Sequence, residues 1–434
     1  MALAPVTSPG LAEEHVSIVG AGIVGVCCAL FLRLSGIPVT LFDRGEPGSG
    51  CSGGNAGMLG VDSCVPLALP GVIREIPSML RSADGPLKID ASQIPGAMPW
   101  FWRFAREGNP ARVAANARAL HALQSHLPDC YRILLRAAEA EDLVRHQGKL
   151  HLCESEAAFV RSQQGRDIQR DQGVEMVLLD PSDVIQFLPA LTRNIHRGIL
   201  YPNAFHCVDP RGMVARFARN FCERGGVLVQ DEILDIEMGP SGPIRLVGSA
   251  ANYPLRRLVV AGGIDSGRLT GKFGARVPMI AHRGYNLTLQ GAELSMPVKS
   301  EDRKIVLAPM SDGIRVTGGA EIAAPTKPPT LHYGDRLSNH ARALVPGLTQ
   351  QSTELWVGSR PCTPDSLPVL GRCTRFPNVV YAYGHGHLGL GLGAVTGRIV
   401  SQILAGDEPL ADLSFYRPDR FRFWQNESKR RVAS

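Results

Sequence analysis

The sequence predicts an α/β fold of two interleaved domains, and three observations carry that prediction. A glycine-rich strand-to-helix turn stands near each end of the chain, alternating strands occupy the middle, and a strand–helix rhythm resumes after an insertion. The first turn has the most parts. His15-Val16-Ser17-Ile18-Val19 is a short apolar strand that delivers the chain to Gly20-Ala21-Gly22-Ile23-Val24-Gly25. Gly20 permits a tight turn, Gly22 lets backbone amides approach a pyrophosphate, and Gly25 lets the next helix pack closely on the sheet. Ile23 and Val24 open that helix, whose N-terminal dipole is aimed at the phosphates. After Val26–Leu32 and a stop at Gly36, Pro38–Phe42 is the second strand. Asp43 closes it roughly 20 residues past the glycines, where a carboxylate holds ribose hydroxyls. Arg44 stands beside it at the same ligand edge.

Next comes Gly45–Met58, a loop too polar and glycine-rich for a core, which serves a ligand or is disordered. Ser52, Asn55, Ala56, Gly57 and Met58 are its candidates for ligand contact. Residues 111–140 carry apolar positions at helical spacing, with Pro128 breaking them into two helices. Gly148–Leu152 reads as a strand. Asp209-Pro210 places an acceptor at an N-cap and a proline at the first helical position. That helix ends near Gly225-Gly226, and Val227–Val229 resumes the nucleotide-binding sheet. Leu258–Gly263 is a buried strand ending in Ala261 and Gly262, small enough for close approach of a ligand. Ala281–Leu289 and Ile314–Gly319 alternate as strands of a second sheet. No internal repeat is found. The expected division is a flexible tail over 1–14, a nucleotide-binding domain from 15–95, 205–268 and 355–434, and a substrate domain from 96–204 and 269–354.

The bulk composition excludes several classes. The 434 residues are 44% hydrophobic and 20% charged, an ordinary globular balance with room for substantial cores. A net charge of +6, spread among acids, gives nucleic-acid binding little support. Ten cysteines without a CxxC pair or a cysteine–histidine array argue against zinc, iron–sulfur and redox-disulfide chemistry, and no metal is expected. Reduced, mostly buried thiols in a cytoplasmic protein are the expectation. The leader Met1–Gly10 has no basic start and no long apolar core, so it is not read as a secretory signal. No stretch approaches the ~20 apolar residues needed to cross a bilayer. The segment Phe421–Trp424 with Lys429-Arg430-Arg431 allows peripheral membrane contact, but a solvated tail packing its aromatics on its own domain is the favoured reading.

The second glycine cluster decides between ligands. Asn378–Tyr383 is a strand, Gly384-His385-Gly386-His387-Leu388-Gly389 comes next, and Leu390–Leu404 is a helix closed by Gly406. No second strand lies beyond it, so a second nicotinamide-type site is rejected. A glycine-lined loop of this kind passes against a flat ring and directs helix amides toward it, where they stabilise charge on the N1–C2=O edge of a flavin.

These motifs together carry a resemblance. The N-terminal fingerprint, Ser52–Met58, Arg283-Gly284-Tyr285-Asn286-Leu287, and Trp356–Gly371 with Gly384-His385-Gly386 after it resemble the FAD-dependent D-amino-acid dehydrogenase and oxidase family, from near His15 to Gly406. The nearest likeness is to bacterial D-amino-acid dehydrogenases and to dehydrogenases of D-hydroxyproline. The resemblance implies a Rossmann-like FAD-binding domain interleaved with the α+β substrate domain. It makes Arg360, in Gly358-Ser359-Arg360-Pro361, the arginine that clamps a substrate carboxylate with two parallel hydrogen bonds. It puts Tyr285 on the substrate-cavity wall, as a second carboxylate contact or a lid, with a core tyrosine as the alternative. Gly386, His387, Leu388 and Gly389 join the FAD contacts, with His385 and His387 given positional rather than proton-transfer roles. The implied chemistry is hydride transfer from the α-carbon to flavin N5, leaving an imino acid.

The aromatic run Pro99–Phe104 is read as core in preference to a cap or a quinone-contacting surface. The leading functional expectation is oxidation of a D-amino acid or a cyclic D-imino acid, with electrons passed to a quinone or a protein carrier. An oxygen-using oxidase of glycine or sarcosine type is the alternative, as is a flavin-binding subunit active only in a hetero-complex. The expected location is cytoplasmic, with peripheral contact at the inner face of the plasma membrane allowed.

Overall fold

Strand Val16–Val19 is buried along its length, as an apolar strand with layers on both faces must be. It pairs in parallel with Val39–Asp43 on one side and Arg257–Val260 on the other. The computed structural model, which describes residues 14–73, 87–349 and 355–421, extends this into a six-stranded sheet. Its order is Val227–Gln230, Val39–Asp43, Val16–Val19, Arg257–Val260, Val379–Tyr383, Val369–Arg372, and only the last pair is antiparallel. Segments far apart in sequence thus meet in one layer, so the strand at 227 does resume the sheet.

The Ile23–Leu34 helix has ten consecutive buried residues, because other elements cover it on every side. Its main neighbour is the Gly389–Ala405 helix. Gly397 makes that approach possible, since a Cβ there would lie 2.6 Å from the Cys27 carbonyl carbon. The Gly386–Ala405 stretch is long and apolar enough to span a bilayer, which corrects the expectation that no stretch is. Glycines and a single arginine dilute its apolar character in the sequence, and in the fold it is mostly buried as a core helix.

Nine strands form the second sheet. Trp356–Cys362, Ile280–Leu289, Gly313–Ile322 and Ile305–Met310 run antiparallel to one another in turn, and Val298–Ser300, Lys149–Cys153, Arg197–Tyr201 and Val177–Leu179 continue it. Two strands lie in segments assigned by sequence to the nucleotide domain. Trp356–Cys362 is the edge of this sheet, and Leu87–Ile89 pairs with Gly313–Ile322. The reason is pairing: each strand finds its open edge here rather than on the parallel sheet.

Pro110–Gln124 and Leu127–Ala137 are two separate helices as expected, but the break falls at Ser125-His126, and Pro128 sits in the first turn of the second helix, where its missing N–H costs nothing. Asp209 accepts from Gly212 N at 2.8 Å and caps Pro210–Glu223. The aromatic run divides by helical phase within Ile94–Glu107: Trp100 and Phe104 are core, whereas Trp102 is exposed. All ten cysteines are free thiols, eight of them buried. The leader and the basic C-terminal segment beyond Phe421 lie outside the described residues.

Candidate active site

One cavity of about 1560 Å³ is walled by the two glycine turns and by one face of the nine-stranded sheet. That exceeds the ~300–1,000 Å³ usual for a single drug-sized ligand. Gly20, Gly22, Ile23 and Val24 wall one end. Gly20 has φ +110, which favours glycine, and a Cβ on Gly25 would fall 1.7 Å from the Gly20 carbonyl oxygen. Gly25 therefore serves the turn by close packing and does not itself face the cavity. Gly22 is different: its only near neighbour is Ser52 Oγ, 3.3 Å from a built Cβ, and that same oxygen accepts from Ile23 N at 2.9 Å.

Asp43 stands at the end of its strand on the cavity wall. Its Oδ2 accepts from Ala21 N at 2.6 Å and its Oδ1 from Gly45 N at 2.9 Å, so the carboxylate ties the two crossing turns together. Arg44 reaches Asp265 at 3.3 Å and Glu232 at 3.6 Å across the same mouth, and is well exposed. Ala261 and Gly262 form the opposite lip.

Farther in, Ser52, Asn55, Ala56 and Met58 wall the cavity. Gly57 does not. Its φ is +72, and a Cβ would sit 2.0 Å from the Cys207 carbonyl oxygen, so it is glycine for backbone packing, a correction to its assignment as a ligand contact. The Asn55 side chain accepts from Gly57 N at 2.9 Å, which turns it back on its own loop. From the other turn, Gly386, His387, Leu388 and Gly389 all face the cavity. The Gly386–Leu388 turn leads into the Gly389–Ala405 helix, whose N-terminal amides are directed there.

Arg360 also reaches the cavity, and its surroundings are unusual for an arginine. Its guanidinium lies across Gly284, where a Cβ would be 1.9 Å from Nη1. His282 faces it on the neighbouring strand. No carboxylate pairs with it among the described residues, and burial pulls its pKa down. Burial, with the Arg360 charge next, pushes His282 down to about 3 and His387 well below the usual imidazole range. His385 donates to or accepts from Thr396 Oγ1 at 2.8 Å, and burial lowers it to about 4. These imidazoles are neutral at neutral pH, which suits positional roles. His282, Cys362 and His387 bring three potential ligand atoms within 4.8 Å of one another, but the adjacent guanidinium opposes a divalent cation there.

Tyr285 does not contact the cavity. It is fully buried on the other face of the sheet network, stacked on Tyr333 at 4.2 Å, and its hydroxyl donates to Glu321 at 2.5 Å. Successive residues of a strand face opposite ways, so when Gly284 turns its face to Arg360, Tyr285 faces the core. Of the two readings of Tyr285, the core tyrosine holds.

Sequence reasoning missed Trp356, whose indole is held between Gly358 and Gly54; built Cβ atoms there would fall 2.1 and 2.3 Å from the ring. The glycines of these two motifs are the available signal. It also missed the buried Asp62–Lys149 ion pair on the cavity wall, for which two residues 87 positions apart give no signal.

The residues present fit FAD. The cavity holds a pyrophosphate cradle without side chains, an acid at the ribose position, and a second helix N-terminus farther along the same wall. Residues 15–403 match the family described as DAO, FAD dependent oxidoreductase. A protein named D-amino-acid oxidase from Bradyrhizobium diazoefficiens is 32% identical over 417 residues, 94% of this chain and 99% of that one. A D-amino acid dehydrogenase from Chromohalobacter salexigens is 29% identical over 420 residues, 92% and 97% of the two chains. Glycine oxidase from Geobacillus kaustophilus superposes with a TM-score of 0.73 at 20% identity, covering 93% of this chain and 98% of that one, a likeness of fold.

Proposed function

The chain belongs to the DAO family and is an FAD-dependent oxidoreductase acting on amino acids, and from that premise we propose that its substrate is a D-amino acid or a cyclic D-imino acid. The observation that carries the substrate reading is Arg360, a half-buried guanidinium on the cavity wall with no acid partner among the described residues. A cation so placed is completed by an anion from solution, and a planar fork binds a carboxylate by two hydrogen bonds. Gly284 keeps the fork flat against the sheet, which fixes the α-carbon relative to the cavity. When bound, FAD supplies the sink for the α-hydrogen and its electron pair. The protein's part is to clamp the carboxylate, exclude water and offer amides where negative charge develops. The neutral His282 and His387 add no competing charge near the α-amine.

The names of the two relatives support the D-configured substrate. We propose a quinone or a protein carrier as acceptor, since no strand comes after the Gly389–Ala405 helix among the described residues to complete a nicotinamide site. Direct use of oxygen is the second reading, favoured by the name of the 32% identical relative. Ten free thiols support a reducing, cytoplasmic compartment, with a membrane quinone reached from its inner face.

Substitution of Arg360 tests the clamp. Arg360→Lys keeps the charge but loses the fork, and truncating one partner of such a pair costs about 2–5 kcal/mol. Catalytic efficiency should fall at least roughly tenfold while flavin content stays at the wild-type level, and an amino-acid amide should be a poor substrate for the wild type. Full activity in Arg360→Lys, or joint loss of flavin and fold, places the clamp elsewhere. Assay of the purified single chain with dyes, quinone analogues and oxygen separates the acceptors and excludes or reveals a need for partner subunits.

A further inference from the structure

Three consecutive carbonyls of the cofactor-facing loop are held by side chains of the nine-stranded sheet. Arg315 Nη1 donates to Gly53 O at 2.9 Å and to Asn55 O at 2.8 Å, and Asn286 Nδ2 donates to Gly54 O at 2.8 Å. In a trans peptide the C=O and the N–H of the next residue point in opposite directions, and the described chain has no cis peptide. The Gly54 and Ala56 amides therefore point away from Arg315. Gly54 and Ala56 wall the cavity, whereas Arg315 does not, so these two amides are turned toward it. Neighbouring amides are spoken for: Asn55 N donates to Ser52 O at 3.3 Å and Gly57 N to Asn55 Oδ1 at 2.9 Å. Those of Gly54 and Ala56 have no partner among the described residues.

Arg315 is itself an expensive anchor. It forms no ion pair among the described residues, and its Nε is buried without a partner. Burial lowers its pKa even though the more distant Asp312 and Asp209 carboxylates pull the other way, so those acids only partly offset its desolvation. A neutral side chain such as Asn286 would hold a carbonyl equally well, so the charge asks for a further reason. A guanidinium that polarises two peptide units makes their far-side N–H groups better donors.

We infer that Arg315 is a positioning residue that aims the Gly54 and Ala56 amides into the cavity at the electron-accepting edge of bound flavin, with Asn286 fixing the peptide between them, and that together they set how readily it is reduced. The inference rests on the proposed cofactor site. Donors fixed in place before reduction stabilise the charge that reduction brings, without reorganising. The helix beginning at Gly389 supplies one such set of donors, and the loop supplies a second from a different part of the chain.

The test is the midpoint potential of the flavin bound to the full chain, measured anaerobically against a reference dye. Asn286→Ala changes no charge, and Arg315→Met removes both donor and charge at similar length. Both should lower the potential. Arg315→Met should weaken two-electron reduction at least roughly tenfold, a shift of about 30 mV. Arg315→Lys, which still donates, should recover a clear part of that loss. Wild-type potentials in both Asn286→Ala and Arg315→Met overturn the inference. If Arg315→Met fails to hold flavin, an unchanged potential in Asn286→Ala overturns it alone. A wild-type chain that retains no flavin defeats the cofactor site instead, and is told apart by its missing visible absorbance.

Discussion

The two glycine turns share one spacing and do different work. In the first, Gly20 turns at φ +110, Gly22 is extended, and the helix begins at Ile23. In the second, Gly384 and Gly386 both have positive φ, a short 3-10 turn intervenes, and the helix begins only at Gly389. The sixth-position glycines differ most. A Cβ on Gly25 collides with the Gly20 carbonyl oxygen at 1.7 Å, whereas one on Gly389 meets only His385 Cβ at an ordinary 3.7 Å. The elements beyond the two helices differ too: a parallel strand ending in Asp43 after the first, and short 3-10 turns after the second. A glycine pattern therefore states where backbone and ligand approach closely. The element after the helix states which part of a ligand is met.

The sharpest way to break this comparison is a matched pair of alanines. Gly25→Ala forces helix and turn apart and should cost about 3 kcal/mol or more, with loss of soluble, flavin-bearing protein. Gly389→Ala should fold with a melting temperature near wild type. Equal damage from both would show that the two turns are built alike. Gly22→Val sharpens the contrast, since its Cβ meets nothing closer than Ser52 Oγ. That variant should fold and yet be colourless, because the added side chain stands where the pyrophosphate passes.

The acid at the end of the second strand predicts a smaller effect. Asp43 binds Ala21 N and Gly45 N and lines the mouth, and the second turn has no counterpart. Hydrogen bonds to a charged group are worth about 1.5–3 kcal/mol. Asp43→Asn should therefore weaken FAD retention roughly tenfold, measured by equilibrium dialysis of the reconstituted protein. FMN lacks the adenosine half, so its weaker binding should be unchanged. Equal loss of both flavins would trace the effect to the bonds that tie the turns at Ala21 N and Gly45 N, and not to a ribose contact.

Much of this is legible in the sequence, and the failures share a cause. Strand and helix identity is plain because buried runs such as Val16–Val19 and Ile23–Leu32 leave no other reading. Contacts between strands are less so. Trp356–Cys362 resembles part of the nucleotide domain because its neighbours in sequence belong there, yet it pairs with Ile280–Leu289. Tyr285 sits in the right motif and on the wrong face, since a single-residue step along a strand reverses direction. Gly57 reads as a ligand contact because glycine is needed there, although the need comes from Cys207. Arg315 gives no sign at all. Its partners are backbone oxygens, which every residue has, and no side-chain pattern can reveal them.

The last prediction separates the turns by pH. The second turn holds His385 and His387 with His282 facing them, all with pKa values lowered by burial, and the first turn has no histidine. Proton counting gives the sign. An unfolded histidine takes up its proton near pH 6.5, while folded His385 waits until about 4. Between those values the unfolded state binds more protons, so stability is full above pH 6.5 and drains away as pH falls toward 4. One such group contributes a slope of at most about 1.4 kcal/mol per pH unit. His385→Gln retains a partner for Thr396 Oγ1 and does not titrate. Its unfolding free energy from urea titrations should accordingly fall less steeply than wild type across about pH 6.5 to 4, with the two curves parallel above about pH 7. A substitution in the first turn that leaves flavin in place should leave that slope unchanged. Parallel curves for wild type and His385→Gln through the acid range would mean that the second turn does not keep its imidazole neutral, and the electrostatic contrast between the two turns would be lost.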